Sequence, residues 1–243
     1  MTARAEFLDR IRREVARTPG LFGAATAPRP AQPAAAAETV RRELAERWPQ
    51  ALDRFRLEFE RVAGVFHRVA DLGAVPDILV RIARERGAGR FVTWDPGVLG
   101  FDAAPVLTRE GLTVVAARAG QEDEASRQRH RADAAAAQIG VTGADLVLAE
   151  TGTLVLLSGS GRPRSTSLLP DVHVAVFGRD RLVETLEQVG IVLESLHVDP
   201  PRSMSGAMIN FITGPSRTAD IELTLTRGVH GPKEVHAIFV EAP

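Results

Sequence analysis

Apolar residues recur along this chain with two different periods, and the alternation between them outlines the fold. Near the start, Phe7, Leu8, Ile11 and Val15 fall on one helical stripe, with arginines and acids opposite. The run from Thr18 to Ala37, TPGLFGAATAPRPAQPAAAA, is rich in proline and alanine and reads as a linker. Beyond Glu38, Val40, Leu44 and Trp48 predict one helix ended by Pro49, and Leu52, Phe55, Phe59 and Val62 predict a second. Strands are then expected at Val65–Ala70, Phe91–Trp94, Leu112–Ala117, Leu146–Ala149, Leu154–Leu157, Val172–Phe177, Ile209–Thr213 and Val235–Val240. Ile221–Thr226 alternates apolar and polar residues and reads as one more strand. Between the strands, Pro76–Arg86 and Glu122–Gln138 read as helices, as do residues 180–194. The last has Asp180 as expected N-cap and Leu182, Leu186, Val189 and Leu193 on its buried stripe. Strands alternating with helices imply an α/β fold, with a mostly parallel sheet covered on both faces. The organisation read from this is an N-terminal helix plus linker, residues 1–37, and an α/β domain, residues 38–243. An isolated helix of this length is marginal in water. The first helix is therefore expected to dock on its own domain, a second copy or a partner.

Composition narrows the chemistry. The 243 residues are 44% hydrophobic and 25% charged, with a net charge of -1, which offers no electrostatic case for nucleic acid or an anionic membrane. There is no cysteine, so thiolate metal sites, cysteine nucleophiles and cysteine-held iron–sulphur clusters are excluded. Lys233 is the single lysine, so a Schiff base would have to use that residue. No apolar run approaches the roughly 18 residues of a membrane span. The N-terminus also lacks the continuous apolar core of a signal peptide, which makes a cytoplasmic protein the expectation.

The familiar cofactor fingerprints are absent. Gly159-Ser-Gly161 opens like a dinucleotide-binding loop, but Arg164 stands where the third glycine belongs. Lys233 has neither the glycine before it nor the hydroxyl after it that a phosphate-binding P-loop needs. The six histidines are scattered without zinc-pair spacing, and no metal is expected. Three polar islands remain. In Glu150-Thr151-Gly152-Thr153, a glycine lets the chain turn and present backbone N–H groups beside two hydroxyls and a carboxylate. A hairpin turn satisfied by its own hydroxyls explains the same residues. Ser158–Ser167 combines small residues with Arg162 and Arg164 and suits either an oxyanion or an exposed loop. The third island, Thr213 to Glu222 with Gly228–Pro232, holds Ser216, Arg217, Thr218, Asp220 and His230 directly after an apolar strand. Arg217 offers a planar fork for a carboxylate or phosphate; alternatively it pairs with Asp220 or the backbone. Ligands of open α/β sheets bind beyond the carboxyl ends of the strands. Glu150, Thr151, Thr153, Arg217, Asp220 and His230 are accordingly expected to share one pocket at that edge, with Gly152, Ser216 and Thr218 supporting it.

Ala144–Thr153, Leu169-Pro-Asp-Val-His173, Gly214–Glu222 and Gly228–Pro232 resemble, in order and spacing, the LUD domain of the lactate-utilisation protein C family, over about Glu38 to Glu241. The resemblance implies a three-layer α/β fold like those of ribose-5-phosphate isomerase and coenzyme A transferases. It also implies a cytoplasmic role in oxidising L-lactate to pyruvate alongside iron–sulphur proteins, with no cofactor bound by this chain. It assigns no catalytic residue. The other reading is a stand-alone enzyme acting on an acyl, sugar-phosphate or folate-like anion, which rests on fold analogy.

Overall fold

The computed structural model describes residues 3–16, 30–120, 123–198, 208–219 and 225–242. In chain order the elements are helices α1 (Ala3–Ala16) and α2 (Pro33–Arg61), strand β1 (Val65–Asp71), α3 (Val75–Arg86), β2 (Arg90–Thr93), α4 (Pro96–Leu99), α5 (Ala104–Arg109), β3 (Thr113–Ala116) and α6 (Glu124–Ala136). They continue as β4 (Ile139–Gly143), β5 (Leu146–Leu148), β6 (Thr153–Leu157), α7 (Ser165–Leu168), β7 (Val172–Gly178), β8 (Leu182–Val183), α8 (Leu186–Val198), β9 (Ile209–Ile212), β10 (Arg217–Ala219), β11 (Leu225–Arg227) and β12 (Glu234–Ala242).

A six-stranded sheet in the order β1-β12-β7-β4-β2-β3 forms the middle layer, and every pairing in it is parallel. Its central strands are largely apolar on both faces, as burial from two sides requires, with Thr142, His173 and His236 as buried polar exceptions. One face packs under α3 and α5 through Leu79, Ile82, Phe91, Leu107, Ile139 and Ile238. The other carries α2, α8 and a second sheet of order β8-β5-β6-β9. Phe55 anchors this second face, stacking on Phe59 at 5.1 Å between ring centroids and meeting the edge of Phe177 at 5.5 Å. This is the expected three-layer α/β fold.

Several elements differ from the periodicity reading. The two helices expected on either side of Pro49 are one helix, α2, with the proline inside it. Residues 180–194 are not one helix: Asp180 sits in a 3-10 turn, Leu182–Val183 pair with Val147–Leu148, and α8 starts only at Leu186. Leu186, expected on the buried stripe, is exposed. The central strand β4 is not among the expected strands, because Ile-Gly-Val-Thr-Gly carries two glycines directly after a helical pattern. Of the strand expected at Ile221–Thr226, residues 221–224 lie outside the described residues, while Leu225–Arg227 pair with β10. Residues 18–29 of the expected linker also lie outside them, and α2 begins at Pro33. Among the described residues no helix is long and apolar enough to cross a membrane.

Candidate anion-binding cleft

The described residues of the first and third islands do gather, but at the opposite edge from the one expected. Gly152, at φ 63°, packs directly on the backbone of Glu58 and Phe59 in the last turns of α2. The Arg217 Nη2 donates to the Val62 carbonyl at 2.8 Å, just past that helix. A carbonyl at a helix end has no intrahelical partner, so the guanidinium satisfies an orphan acceptor. Thr151, Thr153 and Thr213 join hydroxyl to hydroxyl at 2.7 and 2.8 Å. The Glu150 carboxylate accepts the Leu186 N–H at 3.0 Å, at the start of α8. Ser216 N–H donates to the Pro232 carbonyl, and its hydroxyl accepts from the backbone N–H of the exposed His230. Thr218 lies on β10, paired with Thr226, and Asp220 lies outside the described residues.

Val62 precedes β1 and Pro232 precedes β12, so this cluster sits at the amino edge of the main sheet. The carboxyl-edge location expected for it is thereby corrected. The reason is the fold of the second sheet. The chain leaves β4 at the carboxyl edge, and β5 runs back over the sheet face, so the Glu150–Thr153 turn arrives beside the end of α2.

The carboxyl edge is instead occupied by the second island. Asp95 N–H, beyond β2, donates to the Gly161 carbonyl at 2.9 Å, and the Trp94 indole N–H donates to the Pro163 carbonyl at 3.3 Å. Gly161, at φ 69°, has no room for a side chain, since a Cβ would stand 2.8 Å from that of Asp95. Beyond β3, the Gly120 N–H donates to the Ser160 hydroxyl and the Ala119 N–H to the Asp95 carboxylate. The loop is thus tied to two strand ends. Inside it, Arg162 forms an ion pair with the buried Asp145 at 2.5 Å and lies over the Trp94 ring, 5.6 Å from its centroid.

Helix α6 forms the opposite wall. Asp123 caps its start, accepting from the Ser126 hydroxyl and N–H, and those bonds hold the Asp123 carboxyl below the usual carboxylate range. His130 Nε2 lies 3.0 Å from the Thr166 hydroxyl. Burial lowers its pKa against the opposing pull of Asp133, which favours the neutral ring. Between α6, the strand ends and the loop opens a cleft of about 980 Å³, with Arg118, Arg127, Arg129, Arg131, Arg162 and Arg164 on its walls. The Arg127-Gln-Arg-His-Arg131 run was the signal for this wall. In a helix whose apolar residues are a thin line of alanines, those arginines carry no apolar period that would mark them out.

The family model for the LUD domain matches residues 52–240. The chain belongs to the LUD-domain family. In the LUD domain of this protein the match reaches from the second half of α2 to β12 and includes both polar clusters. Similar curated proteins include lactate utilization protein C of Halalkalibacterium halodurans, 40% identical over 165 residues, covering 66% of this chain and 66% of that protein. Lactate utilization protein C of a Geobacillus species is 34% identical over 176 residues, covering 68% of this chain and 67% of its own. The chain thus matches about two thirds of each relative's length. Among solved structures, a DUF162 family protein from Deinococcus radiodurans superposes with a TM-score of 0.51 at 22% identity, over 79% of this chain and 98% of its own. That likeness concerns the fold alone.

Proposed function

We propose that this protein serves the utilisation of L-lactate as a cytoplasmic component that binds no redox cofactor of its own. Iron–sulphur partner proteins would take the electrons released as lactate becomes pyruvate. The observation that carries this reading is the 40% identity to a lactate utilization protein C. The cysteine-free sequence supports the division of labour, because a chain without thiolates cannot hold a cluster by the usual ligands. A deletion strain tests it. Growth on L-lactate as sole carbon source should fail, return with the wild-type gene, and be unaffected on glucose. Normal growth of the deletion strain on lactate would overturn the reading.

The arginine-lined cleft favours a second reading, in which the LUD domain is itself an enzyme or carrier for an anionic acyl, sugar-phosphate or folate-like molecule. Six guanidinium groups at the carboxyl edge of a parallel sheet stand where such folds bind ligands. The amino-edge cluster of Glu150, Thr151, Gly152, Thr153, Ser216 and Arg217 suits this role less well, since its described side-chain hydrogen bonds join parts of the protein to one another.

A further inference from the structure

We infer that the cleft takes a polyanion of nucleotide size, a small molecule with two or more phosphate groups, and not a lone monocarboxylate such as lactate. The inference rests on the second reading, that the cleft is a ligand site. Its basis is a charge balance. The acids around the cleft already have partners: Asp145 holds Arg162, Asp133 holds Arg90 at 2.9 Å, and Glu124 lies 3.9 Å from Arg127. Arg118, Arg131 and Arg164 are exposed and have no carboxylate partner among the described residues, whereas Arg129 donates to the Ser126 hydroxyl and interacts with the Asp123 carboxylate. Three arginines without a carboxylate partner among the described residues therefore line one cleft in a chain whose net charge is -1.

Such a grouping has a cost when empty. Arg127 and Arg131 stand four residues apart on α6, where like charges destabilise a helix. A multiply charged ligand relieves it, whereas one carboxylate neutralises a single guanidinium. Arginine also matches phosphate by paired hydrogen bonds from its planar fork. Size points the same way. A volume of about 980 Å³ is at the upper end for small-molecule sites, far beyond what a three-carbon acid fills.

Calorimetric titration of the full chain with tripolyphosphate, ATP and L-lactate at one ionic strength tests this. Tripolyphosphate and ATP should bind, and L-lactate at the same concentrations should give no heat. Arg131→Ala with Arg164→Ala should weaken tripolyphosphate by about tenfold or more, the effect of losing one or two charge-assisted bonds. Arg54→Ala with Arg179→Ala, exposed arginines outside the cleft, should leave it unchanged. The inference is overturned if tripolyphosphate does not bind, if the control pair weakens it equally, or if L-lactate binds as tightly. An oligonucleotide that outcompetes ATP would overturn the small-molecule assignment. If the Arg131→Ala, Arg164→Ala strain loses growth on lactate while tripolyphosphate fails to bind, the cleft remains a ligand site and only the polyphosphate class falls.

Discussion

At the residue scale, the buried His173 and His236 and the half-buried His67 link sequence to pH response. Arg81 Nη2 lies 3.2 Å from His67 Nδ1, His67 Nε2 lies 2.9 Å from His236 Nδ1, and His236 Nε2 faces Glu234 at 3.4 Å. Arginine can only donate, so His67 accepts at Nδ1 and passes its Nε2 proton toward His236, which in turn points its own toward Glu234. Both rings are then neutral. Burial, followed by the neighbouring His236 and Arg81, lowers the His67 pKa to about 4, and burial lowers that of His173 to about 3. In the unfolded chain these groups titrate near 6.5. Below that value the unfolded chain binds protons that the folded one refuses, so stability present above pH 6.5 is lost as pH falls towards 4. The urea midpoint should therefore drop between pH 7 and pH 5, and His67→Gln should flatten that slope. A midpoint constant over the window would refute the assignment. Gly140 poses a steric constraint instead. A Cβ there would stand 1.9 Å from the Thr166 carbonyl oxygen, where the first turn of α7 crosses β4. Gly140→Ala should cost about 2–3 kcal/mol in chemical denaturation, as overpacking does, and wild-type stability would show that α7 yields freely.

At the element scale, α2 shows packing overriding a local breaker. Pro49 has no N–H for the Ala45 carbonyl, and such a gap costs roughly 3 kcal/mol in a helix interior. The helix survives because buried side chains grip it on both sides: Val40 and Leu44 before the proline, Ala51, Leu52, Phe55 and Phe59 after it. Periodicity was legible here; continuity through Pro49 was not, since it depends on what the two faces meet. Pro49 is exposed, so Pro49→Ala restores the hydrogen bond with little loss of packing. It should raise stability by about 1–3 kcal/mol, read as a higher melting temperature. A lower one would mean the proline serves the helix in another way. The 180–194 region shows the converse. Its apolar spacing suits a helix, yet Leu182 and Val183 gain more by pairing with β5, whose edge is open to them.

For the whole molecule, the decisive feature is how the chain leaves β4. The second sheet folds back across the main one, so two polar clusters end at opposite edges. Arg217 and Gly152 close the end of α2, whereas Arg162 and Gly161 build the cleft. In sequence both islands look alike: glycine, hydroxyls and arginine after an apolar strand. Which edge receives each is set by strand direction, which no local pattern records. The arginines of α6 joined the site for the same reason. They are distant in sequence from Arg162 and Arg164 and meet them only because β3 and β4 place α6 beside the loop.

The alternation of strand and helix periods was enough to determine the α/β class. Apolar runs buried on two faces leave a parallel, doubly covered sheet as the stable arrangement. Composition alone removed thiolate chemistry, and the motif order was sufficient for the LUD family. Tertiary structure decided the rest. It made one helix of two, divided the 180–194 segment between a strand and a helix, and gave β4 its place through the close approach of α7 to Gly140. It also turned an unremarked basic helix face into the wall of a cleft, because a set of charges becomes a site only when the fold aims them at one volume.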